Sequence, residues 1–490
     1  MKKIFLFTCI ILSIFNINAR DIEVGDLYFD IIGEDAVEVA RGGARYDTLK
    51  TIEIPSEITY EGITYSVIGI GDYAFGESSI TSYGCQANKI ILPNSIKQIG
   101  EHAFANLKYL TIINIPENIE VIGNSAFENL SLWNIGPIEL PNTLTYLGDN
   151  AFSGCTEISS VILPESLEYL GNYCFYDCKS LQNVKLPDSF TEIGYGLFCG
   201  CTKLKEISLP DYILNIGEWW FEECIKLTDI KFPENLQSIG LGAFEACTSL
   251  KELIFPDSLI EIGERAFNEC KGLQSIKFGN NLQFIGEDAF YMCTHLTSIE
   301  IPDNVSIIES GAFLQCSRLE EVKLSNNLET ISSWSFNDCK INNIKVPNSV
   351  VEIEEYAFGD NKPLASIILG ENLQKMGEDV FENCINLLEI YSLNPEPPVI
   401  ENNTFNYHSV QEGVLYVPKG SLESYRNAEY WQDFFNIVEY DSEGSKVDEI
   451  TSHDSELCIY SIKGEKLNIR SLENMPSGIY IVNGKKIIVK

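Results

Sequence analysis

Four histidines, fifteen cysteines and seventy-one carboxylates are the side chains of this sequence with chemical capacity, and spacing decides what each can do. His102, His295, His408 and His453 stand far apart, none at the distance from another that a zinc or copper site requires. Glycine-rich phosphate loops, nucleophile elbows and paired-histidine helices are missing. So many acids could supply a glycosidase pair by chance, but no spacing marks one. The chain reads as a non-enzyme with no catalytic residue, no cofactor and no metal.

The cysteines do keep a spacing. Cys155, Cys178, Cys201, Cys224, Cys247, Cys270, Cys293, Cys316, Cys339 and Cys384 each stand three residues after a phenylalanine. In an exported chain, many cysteines ordinarily signal disulfides. Here Leu107 and Leu130 occupy the same slot in earlier repeats, which marks it as apolar and buried. Stacked repeats would hold neighbouring β-carbons about 4.8 Å apart, beyond the disulfide range of roughly 3.5 to 4.5 Å. Free thiols are expected. Cys85, Cys174, Cys199 and Cys458 depart from the pattern, and pairing among them stays open.

These slots require a repeat to position them. Phe152, Phe175, Phe198, Phe221, Phe244, Phe267, Phe290, Phe313 and Phe336 are each 23 residues apart, with Phe75, Phe104, Phe127, Phe358, Phe381 and Phe405 extending the series. A period in the twenties is that of a leucine-rich repeat. The fold class is α/β: a leucine-rich repeat solenoid of about 14 to 15 units, with parallel strands and short helical or 3₁₀ turns. In the unit Leu227 to Phe244, alternation around Ile230 and Phe232 makes a strand that Pro233 ends. Asn235, with Asn118, Asn281, Asn304, Asn327 and Asn372 in the same slot, bonds the backbone of the turn. Gly240, like Gly123, Gly171 and Gly263, is assigned a positive φ. Ala243 and Phe244 belong to a short helical or 3₁₀ turn that drops a ring onto a hydrophobic spine. Parallel strands about 4.8 Å apart would make a rod on the order of 70 Å long.

Three surface features are candidates for binding. Lys185, Lys231, Lys277 and Lys323 occupy the outward strand position in alternate units, about 10 Å apart, and could engage an acidic extended partner. Cross-strand pairing with Glu206, Asp229, Glu252 and Glu321 explains them without a ligand and is slightly preferred. Tyr195, Trp219 and Trp220 concentrate aromatic surface, Trp220 taking a slot usually held by alanine; binding surface and overpacked core are equally open. The row Glu117, Glu165, Asp188, Asp211, Glu234, Asp257, Asp303 and Glu371 follows the strand-ending proline. It is read as a solvated turn ridge in preference to a calcium site.

A net charge of −37 opposes nucleic acid and anionic lipid. Lys2 and Lys3 precede the apolar run Ile4 to Ile17 and the small Ala19, so residues 1–19 read as a cleaved signal peptide. The organisation follows: 20–50 an N-terminal capping segment, 51–394 repeats, 395–440 a C-terminal cap, 441–456 a linker and 457–490 a small β module. The mature chain has no transmembrane segment, and its expected location is extracellular or the outer cell surface.

The repeated unit I-x-I-P-x-x-L-x-x-I-G-x-x-A-F-x-x-C-x-x-L resembles that of the BspA-like leucine-rich repeat surface proteins over most of residues 50 to 440. Leu415-Tyr416-Val417-Pro418-Lys419-Gly420 is similar to the end of that family's repeat region. Members of known function are adhesins that bind matrix and plasma proteins such as fibronectin and fibrinogen, or neighbouring bacteria. The resemblance therefore implies an adhesin with an extracellular protein or glycan ligand. A structural cell-coat component and a glycan-binding accessory protein are the alternatives. The last segment, through Gly478-Ile479-Tyr480-Ile481-Val482, resembles the sorting domains read by the type IX secretion machinery, although it is shorter.

Overall fold

The computed structural model describes residues 22–76, 85–130, 137–188, 190 and 192–440, and beyond these the backbone of four short strands between 459 and 489. The fold is a parallel-strand solenoid of about 15 turns at a spacing of about 23 residues. Its contacts divide it into two units, Met1–Lys179 with Phe190–Gly194, and Ser180–Ser189 with Tyr195–Lys490. The leader, the linker and Cys458 lie outside the described residues.

The first unit opens with an antiparallel meander, Ile22–Val24, Leu27–Ile31 and Ala36–Val39. Ala36–Val39 then runs parallel to Ile63–Ile70, and each later repeat adds a two-residue strand, from Gln98–Ile99 to Glu192–Ile193. Phe75, Phe104, Phe127, Phe152 and Phe175 stack with centroids 5.2 to 5.6 Å apart. Tyr46 closes this spine at 5.0 Å from Phe75, and its buried hydroxyl donates to the Ala40 carbonyl. The cap thus continues the apolar stack while satisfying its own polar atom.

In the second unit every complete repeat contributes two strands. The first is exemplified by Asp229–Lys231, with only its middle residue turned inward; the second, Ser238–Ile239, belongs to an eight-stranded parallel sheet from Asn215–Ile216 to Lys375–Met376. Rings from Phe198 to Phe405 stack at 5.0 to 6.0 Å. Trp431 and Phe434 end the row against Phe405, and the Trp431 indole donates to the Pro398 carbonyl at 2.7 Å. Among the described residues of this unit, helix is found at Tyr407–Glu412 and Leu422–Asn427, with a 3₁₀ turn at Trp431–Asp433. Farther on, Lys466–Leu467, Ile459–Ser461, Gly478–Val482 and Lys485–Val489 form a four-stranded antiparallel sheet in that order.

Two expectations about the repeat are corrected. The alanine–phenylalanine segment is not helical. Its residues two before and two after the phenylalanine have positive φ, as at Gly242 (57°) and Ala246 (58°), and Gly242, Phe244 and Ala246 donate to carbonyls of the next repeat, Glu264, Ala266 and Asn268. These inter-repeat hydrogen bonds alternate with turn bonds inside the segment, Glu245 N to the Gly242 carbonyl at 3.0 Å and Cys247 N to the Phe244 carbonyl at 3.2 Å, so no continuous helix forms. The second correction concerns Gly240, Gly123, Gly171 and Gly263, which do not have positive φ. They are small because the preceding repeat crosses there: a β-carbon on Gly171 would meet Asp149 N at 2.4 Å. The constraint is close backbone approach, not left-handed geometry.

The cysteine slot is also more than apolar. All described cysteines are free and buried, and burial pushes thiols such as Cys247 well above their ordinary range. Cys247 Sγ donates to the Phe221 carbonyl at 3.1 Å, and Cys224, Cys270 and Cys316 repeat the contact. Asn361 stands in the same slot after Phe358 and gives its amide to the Phe336 carbonyl at 2.7 Å. The slot therefore favours a small side chain that can donate inward.

Candidate functional site

Side chains that point away from the second unit's core form its candidate surface. Lys185, Lys231, Lys277 and Lys323 are all exposed on first strands. Their directly opposed residues differ: Lys231 faces Ser208, Lys277 faces Ile254, and Lys323 faces Glu300. Lys323 is hydrogen-bonded to Glu300. Lys185, Lys231 and Lys277 form no ion pair among the described residues. Cross-strand pairing thus explains only Lys323, through Glu300 and not Glu321 of its own strand, and leaves three cations facing solvent.

Later first strands, from the one holding Lys323 onward and its immediate predecessors, border an open trough of about 1180 Å³, lined by Ser298, Glu300, Glu321, Lys323, Asn343 and Glu389 among others. Ser366 Oγ donates to Asn343 Oδ1 at 2.7 Å, which fixes one pair of these polar groups along the strand direction. Burial raises the Glu389 carboxyl above its usual range. The trough is polar and open along a ladder of short strands, a shape for an extended ligand and not for an enclosed small molecule. A smaller hollow of about 490 Å³ lies beside Lys231, between Ser208 and Tyr212.

The aromatic candidates separate. Trp220 is 2% exposed and packs edge-on against Phe221, so it is withdrawn from the surface. It fits the alanine slot because Gly217 makes room: a β-carbon there would lie 2.1 Å from the indole nitrogen. Tyr195 and Trp219 meet edge-on at 6.1 Å, and Tyr195 is exposed. They stand on the turn after the second strand, a different segment from the lysines. A third aromatic pair escaped the sequence reading: Trp334 and Tyr356 stack at 4.1 Å with 10° between their planes. Each stands two residues before a spine phenylalanine, as Trp219 does, so the slot itself carried a usable signal.

The acidic row serves the backbone. Asp257 Oδ1 accepts from Asn280 N at 2.9 Å and Asp303 Oδ1 from Asn326 N at 2.9 Å, and these bonds hold the Asp303 carboxyl below its ordinary range. The asparagine slot does likewise, with Asn304 and Asn327 donating to carbonyls of the preceding repeat. Among the described residues no group of three or more His, Cys, Asp or Glu is arranged to hold a metal ion. His102 stacks on Tyr73 at 4.9 Å, and His295 Nδ1 meets the Lys271 carbonyl at 2.6 Å.

Comparisons with known proteins agree with this geometry. The pattern described as a BspA type leucine rich repeat region matches in six copies, over residues 69–205, 133–250, 168–297 and 283–411. A leucine-rich repeat protein from Bacteroides ovatus is 30% identical with a TM-score of 0.69, the match covering 86% of this chain and all of that one. A leucine rich cell surface protein from Faecalibacterium prausnitzii is 21% identical with a TM-score of 0.46, over 76% of this chain and 94% of that one. No curated protein matches. Among the described residues no helix is long and apolar enough to cross a membrane.

Proposed function

We propose, from the premise that the chain belongs to the BspA-type leucine-rich repeat family, that it is an exported bacterial surface protein whose first-strand face binds a macromolecule, acting as an adhesin for host matrix protein or for other cells. The observation that carries this reading is the open trough along the first strands from Ser298 to Glu389, which Lys323 of the lysine row lines. Side chains such as Ser298, Asn343 and Lys231 lie on that face and contribute little to the core. Their identities are free to vary for recognition while the inward residue of each strand holds the fold. Export rests on residues 1–19, and outer-surface delivery on the β module at 457–490.

Recognition on this scale draws on many modest contacts spread over several repeats, with charge steering the approach. Unpaired Lys185, Lys231 and Lys277 on an acidic protein would orient an acidic segment of the partner along the ladder. The test is solid-phase binding of the mature chain to fibronectin, fibrinogen, collagen and a set of bacterial and host polysaccharides. Retention of a protein ligand, competed by salt, supports the adhesin reading; retention of polysaccharide alone, or of nothing, overturns it.

A further inference from the structure

The row of residues two before each spine phenylalanine reads Arg265, Asp288, Gly311, Trp334, Tyr356 and Asp379 along consecutive repeats. All but Gly311 are partly or fully exposed, and all six have positive φ, so their side chains leave the core side by side, one ladder step of about 4.8 Å apart. Trp334 stacks on Tyr356 in the following repeat and is still 37% exposed, so the ring is covered on one face only. On its other side the neighbouring slot is Gly311, which has no side chain to cover it. The Asp288 carboxylate fills that vacancy: its Oδ1 lies 2.1 Å from where a Gly311 β-carbon would stand, while Trp334 stays beyond the atoms nearest that point. A carboxylate is thereby set about one ladder step from the open face of an indole.

That arrangement is electrostatically incomplete. The faces of aromatic rings carry negative potential, so a carboxylate next to one is unfavourable and a cation between them satisfies both. Burial raises the Asp288 carboxyl, Glu287 and Glu264 add to the rise, and Arg265 opposes it only in part. The one cation of the row, Arg265, is drawn to Glu245 at 2.6 Å. Toward the C-terminus the row runs on through Asp379, which accepts from the Tyr356 hydroxyl, into a cleft of about 520 Å³ lined by Glu382, Tyr407, Tyr430 and Asp433. Tyr407 is 81% exposed there. The Trp334–Tyr356 stack is thus flanked by a carboxylate on each side, Asp288 before it and Asp379 after it.

We propose that this flank, from Asp288 to Asp433, is a second binding site, taking an extended arginine-rich peptide with one guanidinium stacked on Trp334 and paired with Asp288. Arginine suits the gap because its guanidinium is planar, stacks on an indole and still presents donors to a carboxylate in its own plane. Further basic side chains would reach Asp379 and the aromatic cleft beside it. The site is separate from the first-strand trough, and neither depends on the other.

The full mature chain, titrated with the peptides (Gly-Arg)₄, (Gly-Lys)₄ and (Gly-Gln)₄ and with cellohexaose, tests this. (Gly-Arg)₄ is expected to bind in a salt-sensitive manner and more tightly than (Gly-Lys)₄, with (Gly-Gln)₄ and the sugar not bound. Trp334→Asn and Asp288→Asn should each weaken (Gly-Arg)₄ by about tenfold, and Trp334→Phe should retain most of the affinity. Asparagine tolerates the left-handed backbone of both positions, and unchanged melting curves will show that the variants fold. Equal affinity of the parent and both Asn variants, equal affinity for the arginine and lysine peptides, no binding of (Gly-Arg)₄, or Trp334-dependent binding of cellohexaose in its place would each overturn the proposal.

Discussion

Two rows of side chains run two residues apart through the second unit. The phenylalanine row is invariant from Phe198 to Phe405, each ring stacked on the next at 5.0 to 6.0 Å. The neighbouring row shares its backbone but holds glycine, tryptophan, arginine, aspartate and tyrosine. Inward, any departure leaves a void between rings on both sides; outward, the positive-φ position accepts small, acidic, basic and aromatic residues because three inter-repeat hydrogen bonds per segment hold the backbone. The difference teaches where to look for function in a repeat protein: in the row that shares the period but not the residue.

The sharpest break of that contrast is Phe244→Ala. Phe244 is fully buried between Phe221 and Phe267, both at 5.1 Å, and its loss should cost about 3 to 5 kcal/mol. Because neighbouring repeats touch only each other, thermal unfolding of the variant should divide into two transitions. An unchanged melting curve would remove Phe244 from the core.

A smaller effect belongs to an outward residue that folding has partly drawn in. Glu38 in the first unit lies beside Asp72, and its pKa is raised to about 7 by burial and then by that carboxylate, with the Gln98 amide opposing. Its folded pKa stands above the unfolded value of 4.5, so the folded state favours the protonated acid. Stability from this group is full below pH 4.5 and is lost as pH rises to about 7. Glu38→Gln should therefore stabilise the protein at pH 8 by about 1 to 3 kcal/mol and leave it nearly unchanged at pH 4. Chemical denaturation at the two pH values measures the difference.

The thiol row gives a qualitative check. Native protein at pH 8 should resist alkylation, since burial raises the thiols; after unfolding without reductant, most cysteines should react. Mass spectrometry finding most of them paired would contradict the stacking.

The repeat was legible because phenylalanine, cysteine and asparagine recur at one spacing, and each recurrence has a packing or hydrogen-bonding cause. The inward donation of Cys247 to Phe221 was not, since leucine holds that slot in the repeats of Phe104 and Phe127 and suggests an apolar environment alone. Positive φ at Trp219, Arg265 and Trp334 was hidden for a related reason: left-handed backbone is read from glycine, yet here the ladder imposes it on any residue. Trp220 needed the space over Gly217 to be seen in three dimensions. The lysine row was found from its spacing, but which lysines are paired depended on the register of Glu300 with Lys323. The trough is a property of several strands together, and no single repeat announces it.

The central claim is that the first-strand face recognises a macromolecule. Changing Lys185, Lys231, Lys277 and Lys323 together to Ser removes little packing, because all four are exposed, so the melting temperature should hold. The direct measurement is the affinity of this variant and of the parent for the protein ligand retained in the binding screen, at low and at high salt. Weaker binding by the variant with a flatter salt dependence is the predicted result; unchanged affinity and an unchanged salt slope would contradict recognition through the lysine row of this face.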